Sequence, residues 1–166
     1  MSPFPSLPSP VRRAVRWRWL LLAALIGAGI VWMTLQPGYG DERDALNLIP
    51  FDRHGPALAC FIRACSNFRQ IFWLVIVDVV GNVAVFVPFG FAMSAALPLA
   101  ATTRRGANLI VLSGFLLSLL VEVGQLGIPT RTTDVDDLLF NTTGTVIGLA
   151  LWVIHASLQS RKERQP

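Results

Sequence analysis

Polar side chains that could bind a ligand or take part in a reaction are concentrated between two apolar segments in the C-terminal third of the chain. These segments, Leu109–Val121 and Val146–Ile154, are almost free of charge. Between them, residues 122–141 read EVGQLGIPTRTTDVDDLLFN and supply a glutamate, three aspartates, an arginine, a glutamine and an asparagine. An ionised side chain at the centre of a bilayer costs about 2.5–3.5 kcal/mol on insertion scales, so acids at such a junction need partners or a function.

Carboxylates beside an arginine suit the binding of a polar headgroup and chemistry upon it. The guanidinium of Arg131 would hold a phosphate or carboxylate through paired hydrogen bonds. A carboxylate removed from water could act as a general base, and we predict this catalytic role for Glu122 and Asp137. Four further side chains are predicted to join Arg131 in binding the ligand: Asn82, Gln125, Asp134 and Asn141.

Other types of catalytic centre have no clear signal in this cluster. It contains no histidine and no serine–histidine or cysteine–histidine arrangement, and it offers no metal-ligand motif beyond bare carboxylates. The chain's two histidines, His54 and His155, are interpreted as interfacial residues. We therefore predict no metal, and the sequence leaves open whether any reaction is catalysed.

The composition is that of an integral membrane protein. Hydrophobic residues make up 53% of the 166-residue chain and charged residues only 14%, which is far from the balance of a soluble domain. The net charge of +4 comes from basic residues at the ends of apolar segments. Because these residues form no patch interleaved with exposed aromatics, nucleic-acid binding is not expected. Nothing indicates a soluble cofactor.

Four apolar segments predict an all-α bundle of four transmembrane helices. They cover about residues 17–35, 71–97, 108–128 and 134–157. The first is interpreted as a retained helix, because Trp19–Leu35 is longer than a usual signal-peptide core and lacks a clear cleavage site. The predicted domain at 17–157 has a disordered basic tail before it, 1–16, and a basic tail after it, 158–166.

A long polar loop separates the first and second spans. Within it, Asn47–Phe51 is an apolar pentad closed by Pro50, which either dips into the membrane edge or caps the bundle. A short interfacial helix is predicted over 56–68. Cys60 and Cys65 would lie on different faces of that helix, which favours two packed small residues. An extracytoplasmic disulfide between them stays open.

Glycine and proline positions indicate how the helices pack. Pro88 is expected to kink the second span, and Gly81 and Gly90 to allow close approach of neighbouring helices. Gly144 and Gly148 form a pair of small residues four apart, which is typical of tight helix packing.

The fourth span has a clear start. Thr133 or Asp134 is predicted to act as its N-cap. Asp136 and Asp137 follow in the first turn, where the helix dipole favours negative charge.

Charge placement predicts the orientation. Nine of the fourteen basic residues lie in the two tails, in the turn at Arg104–Arg105 and, as Arg18, at the start of the first span, so this side is predicted to be cytoplasmic. Asp78 and Asn82 share a helix face, as do Ser118, Glu122 and Gln125. Three helices would then deliver polar groups to one pocket in the outer half of the bacterial inner membrane. The oligomeric state is not indicated.

Four motif blocks carry a family resemblance. They are Asn47-Leu-Ile-Pro-Phe51, Asn82-Val-Ala-Val-Phe-Val-Pro-Phe-Gly90, Glu122-x-x-Gln125 and Arg131-x-x-Asp134-x-x-Asp137-x-x-x-Asn141-x-x-Gly144. In order and spacing, from about Leu35 to Leu151, they resemble the VanZ-like family of small bacterial membrane proteins. The resemblance implies that the motif positions are Asn82, Pro88, Gly90, Glu122, Gln125, Arg131, Asp134, Asp137 and Asn141. Asp136 lies outside this pattern.

The resemblance implies a role in the cell envelope, since the founding member of the family is linked to teicoplanin resistance. The first hypothesis is a pocket that binds or acts on an envelope lipid or a peptidoglycan-precursor headgroup, which would lower glycopeptide susceptibility. The second is a non-catalytic polar network that fixes the bundle and presents the Asn47–Phe51 loop to a partner or to a glycopeptide. Buried pairs such as Arg131 with Asp134, or Glu122 with Asn82, would then serve the packing of the helices. Proton-coupled transport ranks last, because one-sided polar residues provide no path through the cytoplasmic half.

Overall fold

Helices account for nearly all of the secondary structure in a computed structural model that describes residues 15–37, 46–52, 54–63, 71–72 and 74–162. In chain order the elements are α1 (Trp17–Thr34), β1 (Leu46–Asn47), α2 (His54–Ile62), a π-helical segment (Leu74–Val80), α3 (Gly81–Ala96), α4 (Pro98–Ala101), α5 (Arg104–Gln125), β2 (Thr133–Asp134) and α6 (Val135–Lys162). The prediction of an all-α membrane bundle is confirmed.

Four helices are long and apolar enough to cross a membrane: Trp17–Thr34, Asp78–Ala96, Arg104–Gln125 and Val135–Lys162. The third begins earlier than expected, because Thr103 Oγ1 accepts a hydrogen bond from Gly106 N and caps a helix that already includes Arg104 and Arg105. The fourth continues past Ser157 to Lys162, so part of the predicted tail is helical.

The segment between the first two spans differs from its prediction. The helix there covers His54–Ile62 rather than 56–68, and residues 64–70 lie outside the described ranges. Cys60 is disulfide-bonded, so the expectation of a merely packed small residue was wrong for it. Cys65 lies among the residues that are not described.

Close backbone contact joins α6 to α3. A Cβ added to Gly144 would collide with the carbonyl oxygen of Val83, and one added to Gly148 would collide with that of Val87. From the other side, a Cβ on Gly90 would meet the backbone of Thr145. Gly81 differs, since the atom nearest to its added Cβ is Ile76 O, in the preceding turn, at 3.9 Å. The parallel helices α3 and α6 therefore touch through glycines at successive turns, as small-residue packing requires.

The ends of the helices meet in a way that defines two ends of the bundle. At one end, Arg16 N donates to Ala96 O at 2.9 Å, which places the start of α1 beside the end of α3. At the other, the side chain of Gln125 donates to Thr34 O at 3.2 Å, which places the end of α5 beside the end of α1. Because α6 follows α5 after a short hairpin, its first turn lies at this second end too.

Gly144→Ala is expected to destabilise the bundle. Overpacking of a core costs about 1–3 kcal/mol, whereas the gain in helix propensity is about 1 kcal/mol at most. Thermal unfolding of the purified protein in detergent measures the change. Gly29→Ala is the matched control, because its added Cβ would have no atom within 4 Å. Equal unfolding temperatures for the two variants would contradict a tight α3–α6 contact.

Candidate functional site

A two-stranded parallel pairing draws the loop after α1 onto the start of α6. Leu46 pairs with Thr133, and Asn47 with Asp134. The side chain of Asn47 reinforces this pairing, since its Nδ2 donates to Asp134 Oδ2 at 3.1 Å and its Oδ1 accepts from Ile49 N at 3.2 Å. Residues 46–52, hereafter the outer loop, are thus hydrogen-bonded to the start of α6.

The carboxylate of Asp136 is the centre of this attachment. It is fully buried and accepts the Phe51 backbone N–H at 2.9 Å on Oδ1 and 3.1 Å on Oδ2. The Nδ1 of His54 lies 2.7 Å from Asp136 Oδ2. Phe51 has a φ of 60°, a left-handed conformation that is costly for a bulky side chain. The contacts of Asp136 and His54 therefore hold the outer loop in a strained turn.

Glu122 and Asp134 join the end of α5 to the start of α6. Glu122 Oε2 accepts the backbone N–H of Asp134 at 3.0 Å, and Thr133 Oγ1 donates to Glu122 O at 3.0 Å. Asp134 Oδ1 in turn accepts from Asp136 N at 2.9 Å, the geometry of an N-cap. Glu122 is only 4% exposed, so it positions the hairpin from inside the bundle.

A cavity of about 1000 Å³ opens beside these contacts. Its polar lining includes His54, Asp78, Asn82, Gln125, Arg131, Asp134 and Asp137. Val85, Phe86 and Met33 add apolar wall. Five predicted ligand-binding or catalytic residues are thus brought together, whereas Glu122 and Asn141 are not among the lining residues.

The pairing of these side chains differs from the expected one. Asn82 Nδ2 donates to Asp137 Oδ1 at 2.7 Å, so the proposed pair of Asn82 with Glu122 was wrong. Arg131 Nε donates to Gln36 O at 2.9 Å, and the expected ion pair with Asp134 is not present among the described residues.

Asn141 lies deeper, between α5 and α6. Its Nδ2 donates to Ser118 Oγ at 2.9 Å, and the residue is 2% exposed. Its Oδ1 is buried without a partner in the described ranges. This places Asn141 in the packing of the two helices rather than at the cavity wall.

Sequence patterns did not identify two residues of the site. Asp136 was left outside the motif pattern, and His54 was interpreted as an interfacial residue, yet both are buried and in contact. Their partnership spans 82 residues of sequence, so no local spacing could signal it. Together with Asp134 they offer ligand atoms within 4.8 Å of one another, a set of side chains that could hold a metal ion.

Negative charge dominates the site. Five acidic side chains, Asp78, Glu122, Asp134, Asp136 and Asp137, line the cavity or lie directly behind it. Within the described part of the chain, the one ion pair joins His54 to Asp136. The remaining cation of the lining is Arg131, whose described hydrogen bond goes to a carbonyl group. The site is therefore suited to ligands that bring positive charge or hydrogen-bond donors as well as an anionic group.

Comparison with known proteins assigns the chain to a family. Residues 18–156 match the family model described as VanZ/LLP1. No curated protein and no solved structure matches significantly. The matched region covers most of the chain, including every site residue described above and nearly all of the four spanning helices, and the chain therefore belongs to the VanZ/LLP1 family.

Proposed function

We propose that the cavity binds the headgroup of a cell-envelope lipid or lipid-linked peptidoglycan precursor at the outer face of the bacterial inner membrane. The observation that carries this proposal is the polar lining itself: a cavity of about 1000 Å³ with charged walls lies at one end of four apolar helices. A polar cavity flanked by lipid-facing helices suits a molecule with a polar head and an apolar tail.

The distribution of charge supports an outward-facing site. The opposite end of the described bundle carries Arg16, Arg18, Arg104, Arg105, Arg161 and Lys162. Such an excess of basic residues favours the cytoplasmic side, with both termini there. Cys60 lies in α2, the helix that begins at the site residue His54. Its disulfide is in keeping with an oxidising compartment.

The lining side chains favour a headgroup of mixed charge. The described hydrogen bond of Arg131 uses only Nε, which leaves its terminal N–H groups to bind a phosphate or carboxylate. Asp78 and Asp137 would accept hydrogen bonds from an amine or from hydroxyl groups. A purely anionic headgroup would be repelled by these acids. Amino-acid- or sugar-bearing precursors and zwitterionic lipids combine both features.

The two predicted catalytic carboxylates have different positions relative to such a ligand. Asp137 lines the cavity and is the one placed to contact a headgroup. Glu122 is engaged with Asp134 N and would act by positioning the hairpin. We propose binding and no particular reaction. A protein that sequesters the precursor headgroup would compete with glycopeptides for it and so lower susceptibility to them.

Arg131→Gln and Asp137→Asn are each expected to lose the bound lipid. A hydrogen bond to a charged group contributes about 1.5–3 kcal/mol, which corresponds to a loss of roughly tenfold or more in affinity. Native mass spectrometry of lipids retained by the purified protein in detergent measures this. Arg105→Gln, at the opposite end of α5, is the control and should retain the wild-type lipid. Identical bulk lipids on all four proteins would contradict the proposal.

Glu122→Gln separates positioning from charge-dependent binding. The amide oxygen of glutamine would still accept from Asp134 N, so the hairpin should stay in place and lipid retention should fall by less than twofold. Native mass spectrometry and thermal unfolding, performed on the same sample, measure both properties. A complete loss of lipid from a folded Glu122→Gln protein would show that the charge of Glu122 itself is needed by the ligand.

A second candidate function is presentation of the outer loop to a partner protein. Leu48 and Ile49 are 66% and 64% exposed, and Phe51, held at positive φ, is 52% exposed. An apolar tip on a fastened, strained turn is typical of a recognition surface. Transport is not proposed, because buried apolar residues fill the opposite half of the bundle: Ala95, Ala101, Ile110 and Trp152.

Asp136→Ala is expected to release the outer loop. The variant removes the acceptor of Phe51 N and the partner of His54, so amide hydrogen exchange in residues 46–52 should accelerate at least about tenfold. Exchange in α1 and α5 should not change. Asp52→Ala, at an exposed acid in the same loop, is the control. Unchanged exchange in the loop of Asp136→Ala would contradict its attachment through this carboxylate.

A further inference from the structure

We propose that His54, Asp134 and Asp136 form a binding site for a divalent transition-metal ion. Each of the three side chains offers one ligand atom, and these atoms lie within 4.8 Å of one another. The residues are 4%, 2% and 0% exposed, so the site is buried, and His54 and Asp134 form part of the cavity wall. The proposal depends on these three residues alone and does not require that the cavity bind a lipid.

The imidazole of His54 has unused capacity for a ligand. Nδ1 lies 2.7 Å from Asp136 Oδ2, whereas Nε2 is buried and has no hydrogen-bond partner among the described residues. A buried polar atom without a partner costs about 1–3 kcal/mol. An ion bound by Nδ1 and the adjacent Asp136 would leave Nε2–H as a hydrogen-bond donor toward the cavity, where water or a bound group would accept it. His54 also lines the cavity, so bound water or ligand could reach the ring from that side.

Neighbouring groups already orient the imidazole and the two carboxylates. The ring of His54 packs edge-to-face on Phe140, with centroids 5.3 Å apart. Asp134 accepts hydrogen bonds from Asn47 Nδ2 and Asp136 N, and Asp136 accepts from Phe51 N. A carboxylate has about four lone-pair positions, so each retains capacity to bind a cation. In known metal sites, hydrogen bonds from neighbouring groups hold the metal ligands in position in the same way.

The charge balance supports a cation at this position. Asp134 and Asp136 are buried next to Glu122, and the described part of the chain supplies only His54 as an ion-pair partner. Arg131 instead donates to the carbonyl oxygen of Gln36. Buried carboxylates without counter-charge are strongly unfavourable, and a divalent ion would offset them.

The ligand types indicate the class of metal. One imidazole nitrogen with two carboxylate oxygens is typical of Zn²⁺, Mn²⁺ or Fe²⁺, whereas Ca²⁺ and Mg²⁺ prefer oxygen ligands alone. Three protein ligands leave at least one coordination position for water or for a group in the cavity.

Metal titration of the full-length protein tests the site. The protein is purified in detergent through an affinity tag that contains no histidine, stripped with a chelator and titrated with Zn²⁺ or Mn²⁺ by calorimetry. Wild type should bind about one equivalent of at least one of the two ions. His54→Gln and Asp136→Asn should each weaken binding at least about tenfold. His155→Gln is the matched control, because it removes the only other histidine of the chain and should bind as wild type does.

Several results of these experiments would overturn the proposal. Binding that is absent from folded wild type would leave only a hydrogen-bonded His54–Asp136 pair. Binding that survives in His54→Gln, or is lost equally in His155→Gln, would place the ion elsewhere. If the buried variants do not fold, X-ray absorption of the zinc-loaded wild type decides between one imidazole with oxygens and oxygens alone, and the second result overturns the site. Because no lipid enters this experiment, failure of the headgroup proposal would leave it unaffected.

Discussion

The burial of the Asp136 carboxylate is the constraint on which the rest of the site depends. A carboxylate withdrawn from water must receive several donors or a counter-ion. Its position in the first turn of α6 supplies part of this through the helix dipole, but the direct contacts come from Phe51 and His54. These lie far away in sequence, so burying the acid requires the outer loop to fold over the helix start. The strained φ of Phe51 is a local cost that these contacts offset.

The packing of α3 against α6 determines whether the cavity residues can meet. Gly144 and Gly148 lie against the carbonyl oxygens of Val83 and Val87, at successive turns of two parallel helices. A slip of one turn would move the helices by about 5.4 Å. That displacement would break the 2.7 Å hydrogen bond between Asn82 and Asp137. Tight glycine contacts in the apolar part of the bundle therefore set the geometry of the polar end.

The fold was predictable from the sequence, whereas much of the site was not. The length of the apolar segments predicts the transmembrane helices. A polar residue directly before an apolar helix predicts the N-cap at Asp134. The hydrogen-bond partners of Arg131 and Asn82 differ from the expected Asp134 and Glu122, because charge and depth in the membrane do not determine which side chains face one another. His54 and Asp136 were missed for a different reason. Their contact depends on the outer loop folding over α6, which no periodicity encodes.

The polar residues divide into two layers, and this division bears on the competing functions. Glu122, Asp136 and Asn141 are buried and bonded to the hairpin, the outer loop and α5, so their contacts serve the fold. Asp137 and Arg131 face the cavity instead. Each has one described hydrogen bond, Asp137 with Asn82 and Arg131 with the carbonyl group of Gln36, which leaves further hydrogen-bonding capacity at the cavity surface. The inner layer thus explains the rigidity of the site, and the outer layer is what a ligand would contact.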